Sequence, residues 1–308
     1  MSHITETFNA SILDKMKKFY QDNQLSPTPQ GAIFRAKTED ATITAYRSGK
    51  VLFQGKNPDV EARIWQEFRG DSPAKVAKGR NSQENKDLSF LTGNHIGSDE
   101  SGTGDYFGPV TACAVYVQKD QMQQLKDMGI QDSKAIPDDK IKVLSKQLVQ
   151  MGIPYSLMVL KNEKYNTLQK KGWSQGKMKA MLHHSTIDQL QRKLGFPAEA
   201  IVIDQFCLPA VYNNYLKSED LKLHPHTHFL TKAETHSIAV AAASVIARAS
   251  FLKEMDALSQ DLGFDLLKGA SQKVDELAAK MIKAKGEASL NTFAKVHFAN
   301  TNKAKKYL

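Results

Sequence analysis

Two cysteines in 308 residues, with no Cys-x-x-Cys pair between them, give no basis for a zinc ribbon, a disulfide framework or a redox couple. Cys113 and Cys207 each sit among apolar neighbours, so buried, reduced thiols are expected. Long apolar runs are also missing, since no stretch of about 18 such residues occurs to cross a bilayer. The N-terminus lacks the basic-then-apolar order of an export signal, so a cytoplasmic protein without membrane association is expected. Internal repeats and low-complexity tracts are absent, which sets aside solenoids and tail-like chains.

What is present is the balance of a globular protein, 41% hydrophobic and 24% charged. The length favours two domains, one large enough to bury a sheet. Lys and Arg number 42 against 33 acids, a net charge of +9 that attracts polyanions. The excess sits at the two ends of the chain and the centre is nearly neutral, as expected where acids are held for divalent cations; solvated lysines around an ordinary fold give the same balance.

Residues 10–23 place Ile12, Leu13, Met16, Phe19 and Tyr20 at helical spacing, with Ser11 as a candidate cap. Strand-like runs follow at Ala32–Lys37, Thr42–Arg47 and Val51–Gln54, and a second helix at about 58–69 completes the unit. Alternation assigns Phe34, Ala36, Ile43, Ala45, Val51 and Phe53 to a core face. Ile33, Arg35, Lys37, Thr42, Thr44, Tyr46 and Gln54 form the other face, able to lie along a nucleic-acid backbone; a merely solvated face reads the same way. Residues 71–90 form a linker, so the expected domains are 1–70 and 91–308.

From Asn94 onward, strands near 94–100, 108–118, 155–161 and 200–204 alternate with helices near 120–128, 137–150, 176–194 and 236–260. That is the grammar of an α/β domain. The first two strands are joined by a short glycine-rich turn and should pair antiparallel, making the sheet mixed.

The run Ile96-Gly97-Ser98-Asp99-Glu100-Ser101-Gly102-Thr103-Gly104-Asp105 puts two adjacent acids at a strand end. Successive strand side chains face opposite ways, so both acids serve one site only where the backbone turns. Gly102 and Gly104 supply the turn and let backbone N–H groups approach a sugar–phosphate chain and its 2′-hydroxyls. A phosphate-binding nucleotide loop fits poorly, because Val110–Val117 reads as a strand where a helix should open. Asp204 ends the apolar run Ala200–Ile203, and Glu234 precedes the Ala-rich residues 238–249. Taken singly, Asp204 is more often a helix cap or loop anchor, and Glu234 reads as a first-turn acid favoured by the helix dipole. Four acids in one pocket repel unless divalent cations neutralise them. Oxygen donors suit Mg²⁺ or Mn²⁺, and two ions about 3.5–4 Å apart can support in-line displacement at phosphorus.

Asp-Glu-Ser-Gly-Thr-Gly-Asp-Tyr-Phe-Gly-Pro at 99–109 resembles the first active-site motif of the type 2 ribonucleases H, in the ribonuclease HIII form. Asp132-Ser133-Lys134, the strand ending at Asp204, Lys232-Ala233-Glu234 and Ser244-Val245-Ile246-Ala247-Arg248 are similar to that family too. The N-terminal unit resembles its TATA-binding-protein-like substrate domain. The resemblance implies a ribonuclease H-like mixed sheet flanked by helices, behind a small α+β domain. It implies a metal-dependent endonuclease that cuts the RNA strand of RNA–DNA hybrids, leaving 5′-phosphate and 3′-hydroxyl ends. Asp99, Glu100, Asp204 and Glu234 would be the catalytic, metal-binding quartet for two Mg²⁺ or Mn²⁺ ions. Ser101, Gly102, Thr103, Gly104, Ser133 and Lys134 would meet substrate, with Arg35, Lys37 and Tyr46 adding grip; a monomer is expected.

Thr103 stands where ribonuclease HII has arginine, and Glu234 where it has aspartate. Both departures favour the HIII form over HII-like incision at single embedded ribonucleotides. A non-catalytic nucleic-acid-binding protein with structural carboxylates is the rival from another class. Residues 161–179, with six lysines, Tyr165 and Trp173, could meet phosphates and sugars, although a solvated helix face explains them nearly as well. His236 is a candidate proton carrier or a solvent-facing helix-start residue. His224, His226 and His228 suggest a loop more than a zinc site.

Overall fold

The computed structural model describes residues 2–38, 41–55, 58, 61, 62, 65, 88–130 and 136–308. The chain divides into two compact units, Met1–Asn85 and Lys86–Leu308. The linker expected at 71–90 and the helix expected at 58–69 fall mostly outside the described residues.

The first unit is a four-stranded antiparallel sheet with a helix. Its elements are β1 (Ser2–Thr7), α1 (Ala10–Phe19), β2 (Ala32–Lys37), β3 (Ala41–Tyr46) and β4 (Lys50–Gly55), in the spatial order β1-β4-β3-β2. The expected unit had three strands; β1 is the addition, paired with β4 from Ser2↔Gly55 to Thr7↔Lys50. Asn9, not Ser11, caps the helix, because its extended backbone lets Oδ1 accept from the Ile12 N–H at 3.0 Å. The helix ends at Phe19, four residues before the expected end, and passes into a 3₁₀ turn over Gln21–Asn23. All six residues assigned to the core face are buried. Tyr20 packs 6.1 Å from the Phe34 ring, and its hydroxyl donates to Glu61 at 2.7 Å.

The second unit is built on a five-stranded mixed sheet. Its strands are β5 (His95–Ser101), β6 (Val110–Val117), β7 (Tyr155–Leu160), β8 (Ile201–Asp204) and β9 (Thr227–Leu230), ordered β7-β6-β5-β8-β9. β5 pairs antiparallel with β6 across the short glycine turn, as expected, and parallel with β8. β9 is an unexpected fifth strand, parallel to β8, in the segment read as a histidine loop.

The helices are α2 (Met122–Asp127), α3 (Asp138–Gln150), α4 (Asn162–Lys170), α5 (Gln175–Leu194), α6 (Pro209–Lys217), α7 (Ile238–Leu262), α8 (Gln272–Lys285), α9 (Leu290–Phe293) and α10 (Ala299–Ala304). Among the described residues, no helix is long and apolar enough to cross a membrane. Strand alternation sorts the two long helices to opposite faces. Cys113, Val115 and Val117 pack in the core containing Ala239, Ala243 and Val245 of α7, whereas Val110 and Ala112 pack with Met178 and Leu182 of α5. The small residues of α7 let its backbone press on the sheet at Gly97, where a Cβ would stand 2.1 Å from the Val240 nitrogen and 2.2 Å from the Ala239 carbonyl carbon.

Candidate carboxylate metal site

Asp99 and Asp204 meet because β5 and β8 run parallel in matched register. Ser98 is in register with Ile203, so the next pair brings the two aspartates side by side, Asp204 at the C-terminal end of β8 and Asp99 two residues before the end of β5. Asp99 is buried, and its Oδ1 accepts from the Glu100 N–H at 2.8 Å. Burial pushes its carboxyl up, the charges of Glu100 and Asp204 push it further, and hydrogen bonds from Ser244 and the Glu100 N–H pull it back; the outcome is about 8. Asp204 Oδ1 accepts from the Ala233 N–H at 2.9 Å. Glu234 follows in the same 3₁₀ turn, Ala233–Thr235, and is 7% exposed.

Glu100 is placed differently from expectation. The strand does not end at the acids: Glu100 pairs with Ala112 and Ser101 with Thr111, so the ladder continues to residue 101. Alternation therefore turns Asp99 toward the α7 face and Glu100 toward the α5 face. There the Glu100 carboxylate meets Lys179 Nζ at 2.6 Å and His183 Nε2 at 2.7 Å. Burial alone would raise its pKa, but the Lys179 ammonium and the His183 imidazole outweigh it and hold the carboxyl at about 2. Ser98 Oγ donates to the Cys113 carbonyl at 3.0 Å and lies 2.7 Å from His183 Nδ1, fixing the ring from its other side. Among the described residues, no three His, Cys, Asp or Glu side chains converge in ready coordinating geometry.

The donor chemistry nonetheless fits a hard divalent cation. The acids offer oxygen only, and burial, with the charges of Glu100 and Asp204 behind it, keeps the Asp99 carboxyl high, a cost that a bound cation offsets.

Neither Lys179 nor His183 stands out in the sequence as a partner of Glu100, and Ser244 enters there only as the head of a family-like motif. The signal lay in the Lys179, His183 spacing of one helical turn, which faces both toward the same carboxylate. Lys179 had been grouped with a basic stretch, where its side chain is in fact only 15% exposed. Elsewhere in that stretch Tyr165 is buried and inaccessible to a sugar, and Lys177 pairs with Glu219 at 2.5 Å while lying 4.5 Å over the Trp173 ring.

The glycine loop divides into two roles. Gly102 has φ +88°, and a Cβ there would meet the Pro109 oxygen at 2.3 Å and the Phe251 ring at 2.7 Å, so the fold requires glycine. Gly104 is exposed, has no left-handed φ, and a Cβ there would meet no described residue within 4 Å. Neither packing nor conformation demands glycine at 104. Thr103 and Ser101 are half-buried beside it.

Ser133 and Lys134 lie outside the described residues. Arg35 and Tyr46 are half-buried and Lys37 exposed on the sheet face of the first unit opposite Phe34 and Ile43, together with Thr42 and Thr44; Thr44 is buried although that face was expected to be open. His236 is exposed. His224 stacks on His184 at 4.4 Å, and His228 on Phe90 at 3.8 Å.

Residues 96–301 match the family model described as Ribonuclease HII, and residues 3–78 match the Domain of unknown function (DUF3378). Ribonuclease HIII of Oceanobacillus iheyensis is 54% identical over 96% of each chain. Ribonuclease HIII of Bacillus subtilis is 50% identical, covering 99% of this chain and 98% of its own. Among solved structures, Bst-RNase HIII in complex with Mn²⁺ is 41% identical with a TM-score of 0.69, covering 99% of this chain and 98% of that one. With both units matched, and with identities of about half along nearly the full length, the chain belongs to the ribonuclease HIII family.

Proposed function

We propose that this chain is an endonuclease that hydrolyses the RNA strand of RNA–DNA hybrids where Asp99 and Asp204 lie side by side on adjacent strands. The observation that carries the reading is the register of β5 and β8, which brings Asp99 beside Asp204; burial first, then the charges of Glu100 and Asp204, raise the Asp99 carboxyl to about 8 without a balancing cation. The ribonuclease HIII relatives and the Mn²⁺ complex of a solved one support it.

Asp99 and Asp204 would hold the metal most directly, with Glu234 on the adjoining turn; Glu100, turned to the α5 face by the continuing strand, would contact metal or the ribose beside the cut. Two Mg²⁺ or Mn²⁺ ions match the formal charge of four carboxylates. When bound, such ions supply positive charge for the attacking and departing oxygens of an in-line displacement. The Ala233 N–H and the Ser244 hydroxyl hold Asp204 and Asp99 in place. Lys179 and His183 fix the Glu100 carboxylate and keep it ionised, while the 102–104 backbone receives the ribose. Products carry 5′-phosphate and 3′-hydroxyl ends. Arg35, Lys37 and Tyr46 of the first unit add phosphate and sugar contacts that strengthen binding without touching the reacting atoms.

Asp99→Asn tests this directly. Hybrid binding should persist while Mg²⁺- or Mn²⁺-dependent hydrolysis disappears; a wild-type protein with no hydrolysis under either metal overturns the reading.

A further inference from the structure

The carbonyl of Thr103 is gripped from inside the protein. Gln175 Nε2 donates to it at 2.9 Å and also contacts the Tyr165 hydroxyl at 3.0 Å. A carbonyl can only accept, so the Gln175 amide must present its nitrogen there. Gln175 is itself rigidly placed as the first residue of α5, where Ser174 caps the helix by accepting from the Lys177 N–H at 3.1 Å. Tyr165 is buried, and Lys295 Nζ lies 5.7 Å from its ring centroid. The same ammonium donates to the carbonyls of Asp105 and Gly108, each at 2.7 Å. A fully buried lysine and an amide braced by a buried phenol thus hold three carbonyls of one loop inward.

A trans peptide has one consequence for that loop. The Thr103 C=O and the Gly104 N–H belong to the same plane and point in opposite directions. With the carbonyl drawn in toward Gln175, the Gly104 N–H is aimed outward, at a residue of the loop where an added Cβ would meet no described residue within 4 Å.

We propose that Gln175 is a positioning residue for substrate selection: by holding the Thr103 carbonyl it aims the Gly104 N–H at a ribose 2′-hydroxyl, the group that separates RNA from DNA. This rests on the hybrid-hydrolysing function proposed above. Gln175 does not touch the substrate, and its effect passes through one peptide plane.

The test uses the full chain carrying Gln175→Glu, a substitution of the same shape that cannot donate, with Gln175→Ala as the second variant. Binding is measured on an RNA–DNA hybrid and on a DNA duplex of the same sequence, in an Asp99→Asn background that leaves the hybrid uncut. Steady-state hydrolysis with Mn²⁺ and thermal melting are measured without that background change. The expected result is a loss of hybrid affinity of about tenfold, the size of one hydrogen bond to a polar group, with DNA-duplex affinity and melting temperature unchanged. KM should rise while kcat at saturation is kept. Unchanged preference for the hybrid, or an equal loss on both duplexes, overturns the proposal. Failure of the Gln175-intact protein to hydrolyse hybrids overturns the functional reading and this inference with it, which separates the two failures.

Discussion

Glu100 and His183 are joined at 2.7 Å on the α5 side of the sheet, while Asp99, the preceding residue, looks toward α7. Two neighbouring acids in one strand therefore sit in opposite electrostatic surroundings. Asp99 is pushed up to about 8 and Glu100 held down at about 2.

The raised group makes the metal-free protein weaker at higher pH. Asp99 in the folded chain keeps a proton that the unfolded chain releases near its ordinary value of 3.8, so stability falls as pH rises from there through about 8. Asp99→Asn removes a buried charge and its repulsion by Glu100 and Asp204, and should raise stability at pH 8 by on the order of 2 kcal/mol, with no gain at pH 3, where both forms are neutral. Thermal melts in a chelator at the two pH values check this. Adding Mn²⁺ should raise the wild-type melting temperature more than that of the variant.

The depressed group has the opposite sign. The folded value of Glu100 lies below its ordinary 4.5, so its contribution is present above that pH and lost as pH falls toward about 2. Lys179→Met removes one partner from a nearly buried carboxylate and should destabilise the protein by roughly 2–3 kcal/mol at pH 7, less at pH 3. Urea unfolding at the two pH values measures the difference.

The two loop glycines should respond differently to one methyl group. Gly102→Ala forces a left-handed backbone and a clash with the Pro109 carbonyl, and should destabilise by about 2–4 kcal/mol. Gly104→Ala should change stability by less than about 0.5 kcal/mol, yet raise KM for the hybrid. Melting curves and initial rates on the two variants separate folding from substrate approach.

Arg35→Ala and Lys37→Ala should weaken hybrid binding, leave kcat unchanged, and reduce the slope of log affinity against log salt by about one for each phosphate no longer neutralised. Titrations at several salt concentrations read this out; an unchanged slope would assign both residues to a solvated face.

Most of the scaffold was legible because its buried residues repeat at the period of their element. β6 is apolar nearly throughout, β8 is apolar up to Asp204, and the core face of β2 to β4 alternates cleanly. β1 was not legible, since its buried residue is Glu6 and its only apolar side chain is Ile4. β9 is short and half-buried at the sheet edge, and the ring of His228 is spent on stacking, so its polar composition read as a loop. Helices α4, α6 and α8 were also not anticipated, although Val274, Ala278 and Met281 of α8 carry a helical period. At the site, the four acids were visible as residue types at element ends. The turning of Glu100 to the other face was not, because it depends on β5 staying paired with β6 through Ser101.

The position with the least chemistry governs the spacing of the rest. Gly97 lets the α7 backbone seat directly on β5, and that helix carries Ser244 to Asp99 while its leading turn brings Ala233 to Asp204. Any side chain at 97 would act as a wedge, lifting a single rigid lever that serves both aspartates. The gauge of the acidic pocket is thus set by a residue that has no side chain of its own, so changes in activity at this site can originate where no functional group exists.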